Sequence, residues 1–174
     1  MKILEIQKVD LTSFCYLNKD RYPFLLESVN HNENNRYSIL FAFPGESIVL
    51  KDFSDFNFLK ELQDRCKLNN LNSSLPFTGG WFAYLSYELI GQIELTLTDK
   101  LHKSKLPIAY AVEIPSAIII DHKLDKTFII DQDSNHSRID SILSDIKLLG
   151  TMPTQRIKGD QSEEVEKKFI DGVK

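Results

Sequence analysis

The stretch PFTGGWFAYLSYE, residues 76–88, decides the interpretation of this sequence. Its aromatic and apolar residues are typical of a β-strand, yet the strand opens on two adjacent glycines, Gly79 and Gly80. Glycine inside a strand marks a bulge or a place where another backbone or a ligand approaches closely. We therefore expect a strand that begins at this pair and lies tightly against its neighbours. Trp81, Tyr84 and Tyr87 should then fill a core or line an adjacent pocket, and we expect a core position for most of them.

Short apolar runs before this stretch predict further strands. Pro44 and Gly45 form a strong turn signal between the third and fourth runs, which predicts that those two strands form a hairpin. Short connections throughout favour an antiparallel meander. The four predicted strands cover residues 3–9, 22–29, 36–43 and 46–53.

The remaining elements complete an α+β pattern. Apolar residues recur at helical spacing in residues 55–68 and 138–149, which predicts two helices. A long apolar run, residues 108–122, predicts a strand that is broken at Pro115, and residues 127–131 predict the returning strand. We expect antiparallel sheets packed as a sandwich, with flanking helices outside.

The chain divides into one domain and a short C-terminal remainder. Residues 1–150 carry all of the predicted strands and both helices. Residues 151–161, TMPTQRIKGDQ, have the composition of a linker, and residues 162–174 predict a further helix that is unfinished where the sequence stops. We therefore expect the chain to be part of a longer protein whose next domain begins near residue 162.

Composition excludes several function classes. The net charge is −4 and the basic residues form no stripe, which argues against a nucleic-acid partner. No apolar run is long enough to span a membrane, and only two cysteines are present, so the sequence predicts a cytoplasmic protein. The four histidines lack metal-ligand spacing, and no nucleophile motif is present. We therefore expect no metal site, and among possible catalytic groups only Glu88 and Glu94 remain, either as a carboxylate pair or as ordinary charges at a strand end.

One polar constellation could bind a ligand. Glu27 and Ser28 end the second predicted strand, whereas Arg36, Tyr37 and Ser38 begin the third. A hairpin brings these ends together and supplies the groups that an amino acid ligand needs: an acid, a hydroxyl, a guanidinium and a ring. The alternative is an ordinary surface ion pair between Glu27 and Arg36. The residues alone leave both interpretations open.

Taken together, four segments resemble the N-terminal region of the chorismate-utilising synthases, the family of anthranilate synthase component I and aminodeoxychorismate (para-aminobenzoate) synthase component I. The segments are PFLLES, RYSIL, PFTGGWFAYLSYELIGQIE and IPSAIIIDH, in this order. The tryptophan after the paired glycines and the wording YEL…GQIE favour the aminodeoxychorismate type.

The resemblance implies a function for the whole enzyme. A full-length aminodeoxychorismate synthase would transfer ammonia from a glutamine amidotransferase subunit to chorismate, giving 4-amino-4-deoxychorismate for folate biosynthesis. The catalytic residues and the Mg²⁺ site would lie in the C-terminal chorismate-binding domain, against which this region would pack. No cofactor is implied for the present chain. The alternatives are the N-terminal domain of an anthranilate synthase and a non-catalytic ligand-binding or adaptor domain.

The resemblance also implies a tryptophan site in this region. In anthranilate synthase the tryptophan is a feedback inhibitor, and in some aminodeoxychorismate synthases it is a structural ligand. The residues that match the family's pattern are Leu26, Glu27 and Ser28 on one strand and Asn35, Arg36, Tyr37 and Ser38 at the start of the next.

Overall fold

A computed structural model describes residues 1–28, 35–53, 55–66, 73–94, 96, 105–133 and 137–150. The predicted linker, residues 151–161, and the predicted helix start, residues 162–174, lie outside this part of the chain, so those two predictions remain untested.

Within these residues, eight strands form two antiparallel sheets. The larger sheet has the order β1-β8-β7-β3-β2 and the smaller sheet has the order β4-β6-β5. The strands are β1 (Lys2–Ile6), β2 (Phe24–Leu26), β3 (Tyr37–Ala42), β4 (Ser47–Leu50), β5 (Gly80–Leu85), β6 (Ala109–Ile114), β7 (Ser116–Asp121) and β8 (Lys126–Asp131).

Helices cover the outer faces of both sheets. They are α1 (Leu11–Leu17), α2 (Phe58–Arg65), α3 (Ile90–Ile93) and α4 (Ser137–Leu149), with a 3₁₀ turn at Tyr87–Leu89. On the larger sheet, Phe14 of α1 and Ile142 of α4 are fully buried against apolar side chains that include Leu40 and Ile118. On the smaller sheet, Phe58 of α2 packs with Leu50 and its neighbours.

The two sheets pack on each other through their inner faces. Phe41 of β3 is buried together with Val112 and Ile114 of β6. The rings of Phe24 and Phe82 stack across the interface, with centroids 4.1 Å apart. Because side chains alternate along a strand, each sheet contributes one face to this interface and the other face to a helix layer. The predicted α+β sandwich with flanking helices is therefore confirmed.

Pro115 separates two strands that belong to different sheets. β6 ends at Ile114 in the smaller sheet, and β7 begins at Ser116 in the larger one. The break predicted at this proline is confirmed, and β8 returns beside β7 as an antiparallel partner. The proline thus marks the point where the chain crosses between the sheets.

The predicted hairpin between the third and fourth strands is wrong. β3 pairs with β2 and β7, whereas β4 pairs with β6 in the other sheet. The turn at Pro44 and Gly45 carries the chain across the sandwich, since the backbone N–H of Gly45 already donates to the carbonyl of Glu113 at 2.8 Å. The predicted four-strand meander is wrong for the same reason, and only its β2–β3 pairing is present.

Tyr87 is 80 % exposed, so it does not fill the core, and the alternative that it lines a pocket stays a prediction. β5 ends at Leu85 and a 3₁₀ turn begins at Tyr87, so the strand alternation no longer holds at this position. Trp81 is partly buried against the cluster that α2 covers. Trp81 is therefore the more buried of the two residues, although it lies at the edge of the buried cluster rather than inside it.

α1 was not predicted from the sequence. Asp10 caps this helix, since its side chain accepts a hydrogen bond from the backbone N–H of Thr12 at 3.1 Å. None of the described helices has both the length and the apolar character that crossing a membrane would require. Cys15 and Cys66 are free thiols.

Candidate functional site

The ends of β2 and β3 meet at one corner of the larger sheet. The backbone N–H of Ser28 donates to the Ser38 hydroxyl at 3.0 Å, and the Ser28 hydroxyl donates to the carbonyl of Tyr37 at 2.7 Å. The backbone ladder between the two strands ends at Leu26, which pairs with Ile39. Beyond that pair, hydrogen bonds that involve the serine hydroxyls hold the two strand ends together. We call Ser28, Arg36, Tyr37 and Ser38 the β2–β3 corner.

Arg36 forms an ion pair with Asp121, a partner that was not predicted from the sequence. Its Nε and Nη2 atoms donate to the two carboxylate oxygens of Asp121, at 2.9 and 2.6 Å. The Arg36 guanidinium lies over the Tyr37 ring, 4.7 Å from its centroid. The alternative of a Glu27–Arg36 ion pair is therefore replaced by an Arg36–Asp121 pair that also fixes the aromatic ring.

The Asp121 carboxylate is buried and held by several donors. Besides Arg36, the backbone N–H groups of Lys123 and Leu124 donate to it at 3.0 and 3.2 Å. The hydrogen bond from Arg36, with smaller contributions from these backbone donors, lowers the pKa of Asp121 below its usual value although burial opposes the shift. Asp121 thus remains ionised and anchors the turn after β7.

His122 completes the corner from the same turn. Its Nε2 atom lies 2.8 Å from the Ser38 hydroxyl, and its backbone N–H donates to the carbonyl of Arg36 at 2.9 Å. The sequence feature that could have indicated these two residues is the polar pair Asp121 and His122 directly after the apolar run of three isoleucines. The contact with the corner needs the β3–β7 register, in which Tyr37 lies opposite Asp121.

The other predicted ligand residues lie beside the corner. Leu26 is 51 % exposed and precedes the exposed Glu27 on the same strand end. Asn35 is exposed and directly precedes Arg36. The structure therefore places all seven predicted residues around one corner, although Arg36 is engaged by Asp121.

The glycine pair reaches this corner indirectly. The segment before it contributes Leu75 and Phe77, which pack against the same inner face as Tyr37. The Tyr37 hydroxyl also lies 3.5 Å from the carbonyl of Ser74. Gly80 is the first residue of β5 in the smaller sheet and Gly79 directly precedes it, whereas Trp81 faces away from the corner toward α2.

The described part of the chain also has open cavities away from the corner. A groove of about 850 Å³ runs between α2 and α3 and includes Leu59, Lys60 and Ile93. A smaller one of about 350 Å³ lies beside α1 and includes Cys15 and Tyr22. We favour the corner over both because it combines buried polar groups with an aromatic ring. Within the described ranges, no cluster of three or more His, Cys, Asp or Glu side chains could hold a metal.

Comparisons with known proteins agree with this fold and with the resemblance. No family model matches the sequence. Anthranilate synthase component 1 of Lactococcus lactis is 27% identical over 152 residues, which cover 79% of this chain and 33% of that protein. An anthranilate synthase component I-like protein of Synechocystis is 31% identical over 102 residues, covering 55% and 21%.

A solved structure shows the same fold. The crystal structure of anthranilate synthase component I from Streptococcus pneumoniae superposes with a TM-score of 0.53 at 21% sequence identity, covering 86% of this chain and 37% of that one. The chain therefore spans about a third or less of the length of the curated relatives it matches. Together, the sequence relatives and the shared fold support a relationship between this chain and the chorismate-utilising synthase family.

Proposed function

We propose that this chain is the N-terminal domain of a chorismate-utilising synthase component I and that its β2–β3 corner binds L-tryptophan. The observation that carries the proposal is that Ser28, Tyr37 and Ser38 meet at the β2–β3 corner. This corner lies in a fold that the chain shares with a solved anthranilate synthase component I. The domain regulates or stabilises the enzyme, and the chemistry belongs to the rest of the full-length protein.

The chemistry of the corner matches an aromatic amino acid. Glu27 offers a carboxylate for the ligand's ammonium group, and the Tyr37 ring with the exposed Leu26 offers apolar surface for an indole. The Asn35 side-chain amide can donate to the ligand's carboxylate. Because Asp121 engages two nitrogens of Arg36, we assign Arg36 to the support of Tyr37 rather than to the ligand.

The reaction itself would require parts of the enzyme outside this chain. We propose that the full-length protein transfers ammonia from a glutamine amidotransferase subunit to chorismate. Mg²⁺ would offset the negative charge of the chorismate carboxylate there. The residues described here include no candidate set of metal ligands, so no step of the reaction is assigned to them.

Two products are possible for that reaction. The wording GGWFAYLSYELIGQIE favours 4-amino-4-deoxychorismate and thus folate biosynthesis. The names of the relatives equally support anthranilate and tryptophan biosynthesis. Complementation with the full-length gene decides: rescue of a para-aminobenzoate auxotroph supports the first product, and rescue of a tryptophan auxotroph supports the second.

Calorimetry with L-tryptophan tests the ligand site. We expect the chain to bind L-tryptophan and Ser28→Ala to weaken binding about tenfold, equivalent to about 1.4 kcal/mol, because the Ser28 hydroxyl holds Tyr37 in place. Ser47→Ala is the matched control, since Ser47 is exposed on β4 in the other sheet. Equal affinity in Ser28→Ala would remove Ser28 from the site, and no binding by the unsubstituted chain would remove the site itself from this domain.

A further inference from the structure

His122 is linked to the end of β2 through one buried hydroxyl. Its Nε2 atom contacts the Ser38 hydroxyl at 2.8 Å, and the same hydroxyl accepts the backbone N–H of Ser28 at 3.0 Å. Ser38 is only 2% exposed. Because water has so little access, a lost partner of Ser38 would not be readily replaced by solvent.

The Ser38 hydroxyl has one hydrogen and two lone pairs. One lone pair is used by Ser28, which leaves the hydrogen to donate to Nε2 or the second lone pair to accept from Nε2–H. In either arrangement the imidazole removes the rotational freedom of the hydroxyl. A hydroxyl with a fixed direction keeps a lone pair aimed at the Ser28 N–H.

The imidazole is itself held on its backbone side. The His122 backbone N–H donates to the carbonyl of Arg36 at 2.9 Å, directly after the buried Asp121 that binds the Arg36 side chain. The ion pair therefore fixes where the turn lies, while the ring of His122 reaches across the sheet end to Ser38. This division assigns the anchoring of the turn to Asp121 and the orientation of Ser38 to His122.

We propose that His122 is a positioning residue of the β2–β3 corner: its Nε2 atom fixes the Ser38 hydroxyl, which fixes the Ser28 backbone N–H and thereby the ligand-bearing end of β2. The consequence for ligand binding rests on the proposed function. The hydrogen-bond relay from His122 to Ser28 does not, and it can be tested without a ligand.

Two amide isosteres separate the hydrogen bond from packing. Gln places an amide group near the position of Nε2, whereas Asn places one near Nδ1. We expect His122→Asn and His122→Phe to lower the protection of the Ser28 amide against hydrogen exchange at least about fivefold, equivalent to about 1 kcal/mol. His122→Gln should retain that protection. The Phe24 amide is the internal control in the ¹⁵N-labelled full chain, because Phe24 and Phe41 form a hydrogen-bonded pair of the β2–β3 ladder.

Each outcome of the exchange experiment decides the relay. Loss of Ser28 protection in the Asn and Phe variants with retention in Gln supports it. Unchanged protection in Asn and Phe overturns it, and loss in all three variants also overturns it because the role would then be packing. Calorimetry with L-tryptophan is the second arm, in which Asn and Phe should weaken binding as Ser28→Ala does. If the unsubstituted chain binds no tryptophan, the proposed function fails while the exchange result still decides the role of His122.

Discussion

At the scale of single residues, Asp121 concentrates the electrostatics of the corner. It is 1% exposed and accepts two hydrogen bonds from Arg36 and two from backbone N–H groups. A buried carboxylate is favourable only when it is paired and hydrogen-bonded in this way. The sequence shows an acid at the end of an apolar strand, but its partner lies 85 residues away and becomes visible only through the β3–β7 register.

The lowered pKa of Asp121 predicts a pH-dependent contribution to stability. Arg36 holds the pKa of Asp121 in the folded chain below the usual 3.8. The ionised Asp121 carboxylate therefore stabilises the fold above pH 3.8, and this stabilisation is lost as the pH falls through the folded-state pKa. We expect the difference in free energy of unfolding between the unsubstituted chain and Asp121→Asn to shrink below this pH. Urea titrations from about pH 6 to about pH 2 measure it.

Asp125 provides the matched control for that experiment. Its pKa is also lowered, by a hydrogen bond from Lys8. This pair is exposed, however, because the Lys8 side chain is 63% and the Asp125 side chain 77% accessible to solvent. Added salt should therefore weaken the effect of Asp125→Asn far more than that of Asp121→Asn. A constant difference across the acid range for Asp121→Asn would contradict the assigned ion pair.

The glycine pair predicts two unequal substitutions. Gly79 has φ of 100°, and a Cβ there would lie 2.1 Å from Cγ of Gln132. Gly80 has φ of 155°, and its Cβ would meet Phe77 at an ordinary 3.7 Å. We expect Gly79→Ala to destabilise the fold by about 1–3 kcal/mol through the strained backbone, with a further penalty from Gln132, and to cost more than Gly80→Ala.

Urea unfolding of both variants, with and without Gln132→Ala, measures these contributions. Removing the Gln132 side chain should relieve the steric part at Gly79 and leave Gly80→Ala unchanged. A larger loss of stability in Gly80→Ala would show that the close approach lies at the second glycine instead.

At the scale of elements, local signals located most helices and strands. The helix predicted at residues 138–149 is observed as Ser137–Leu149 because its apolar spacing is regular over three turns. The helix predicted at residues 55–68 is shorter, Phe58–Arg65, since Asn57 caps it by accepting from the N–H of Lys60. Local patterns therefore identified these two helices better than they fixed their ends.

α1 shows what a short element hides from sequence analysis. It spans only 7 residues, LTSFCYL, too few to establish a helical period. Its stability comes from burial of Leu11 and Phe14 against the larger sheet. The usable local signal was Asp10, a favoured residue for a helix N-cap.

The Asp10 cap predicts a measurable loss on substitution. The carboxylate accepts from the N–H of Thr12 and from the hydroxyl of Ser13. We expect Asp10→Ala to lower the free energy of unfolding by about 1 kcal/mol, whereas Asp10→Asn and Asp10→Ser should retain most of it. Thermal and urea unfolding measure the series, and equal losses in all three variants would argue against a capping role.

At the scale of the whole molecule, the partners of strands that are distant along the chain could not be predicted from the sequence. β1 pairs with β8 and β3 pairs with β7, and neither pairing is local. Pro44 and Gly45 look like a hairpin turn, but Gly45 is bonded to Glu113 in the other sheet. A turn motif predicts that the chain changes direction, but it does not predict which strand the following strand pairs with. That pairing depends on how both faces of each sheet are buried.

The candidate site was predictable to the extent that it is local. Ser28, Tyr37 and Ser38 converge because β2 and β3 are neighbours in sequence and in the sheet. Asp121 and His122 join them from a distant strand, so only the assembled sheet shows that Arg36 is engaged and that Ser38 is oriented. The exposure of Tyr87 has a local cause instead, since β5 ends at Leu85 and a 3₁₀ turn follows.

The two-layer core predicts opposite results for two aromatic residues. Phe41 is 5% exposed and makes edge contacts with Phe77 and Phe82, with centroids 5.0 and 5.4 Å away. Tyr87 is 80% exposed beyond the end of β5. Phe41→Ala should lower the free energy of unfolding by about 3–5 kcal/mol because it opens a cavity between the sheets, whereas Tyr87→Ala should change it by less than about 0.5 kcal/mol.

Urea unfolding with unchanged m-values tests both substitutions. Phe41→Leu is the control and should recover part of the lost stability by refilling the cavity. A large loss in Tyr87→Ala would mean that the 3₁₀ turn is part of the core after all, and a small loss in Phe41→Ala would mean that the two sheets do not depend on each other for stability.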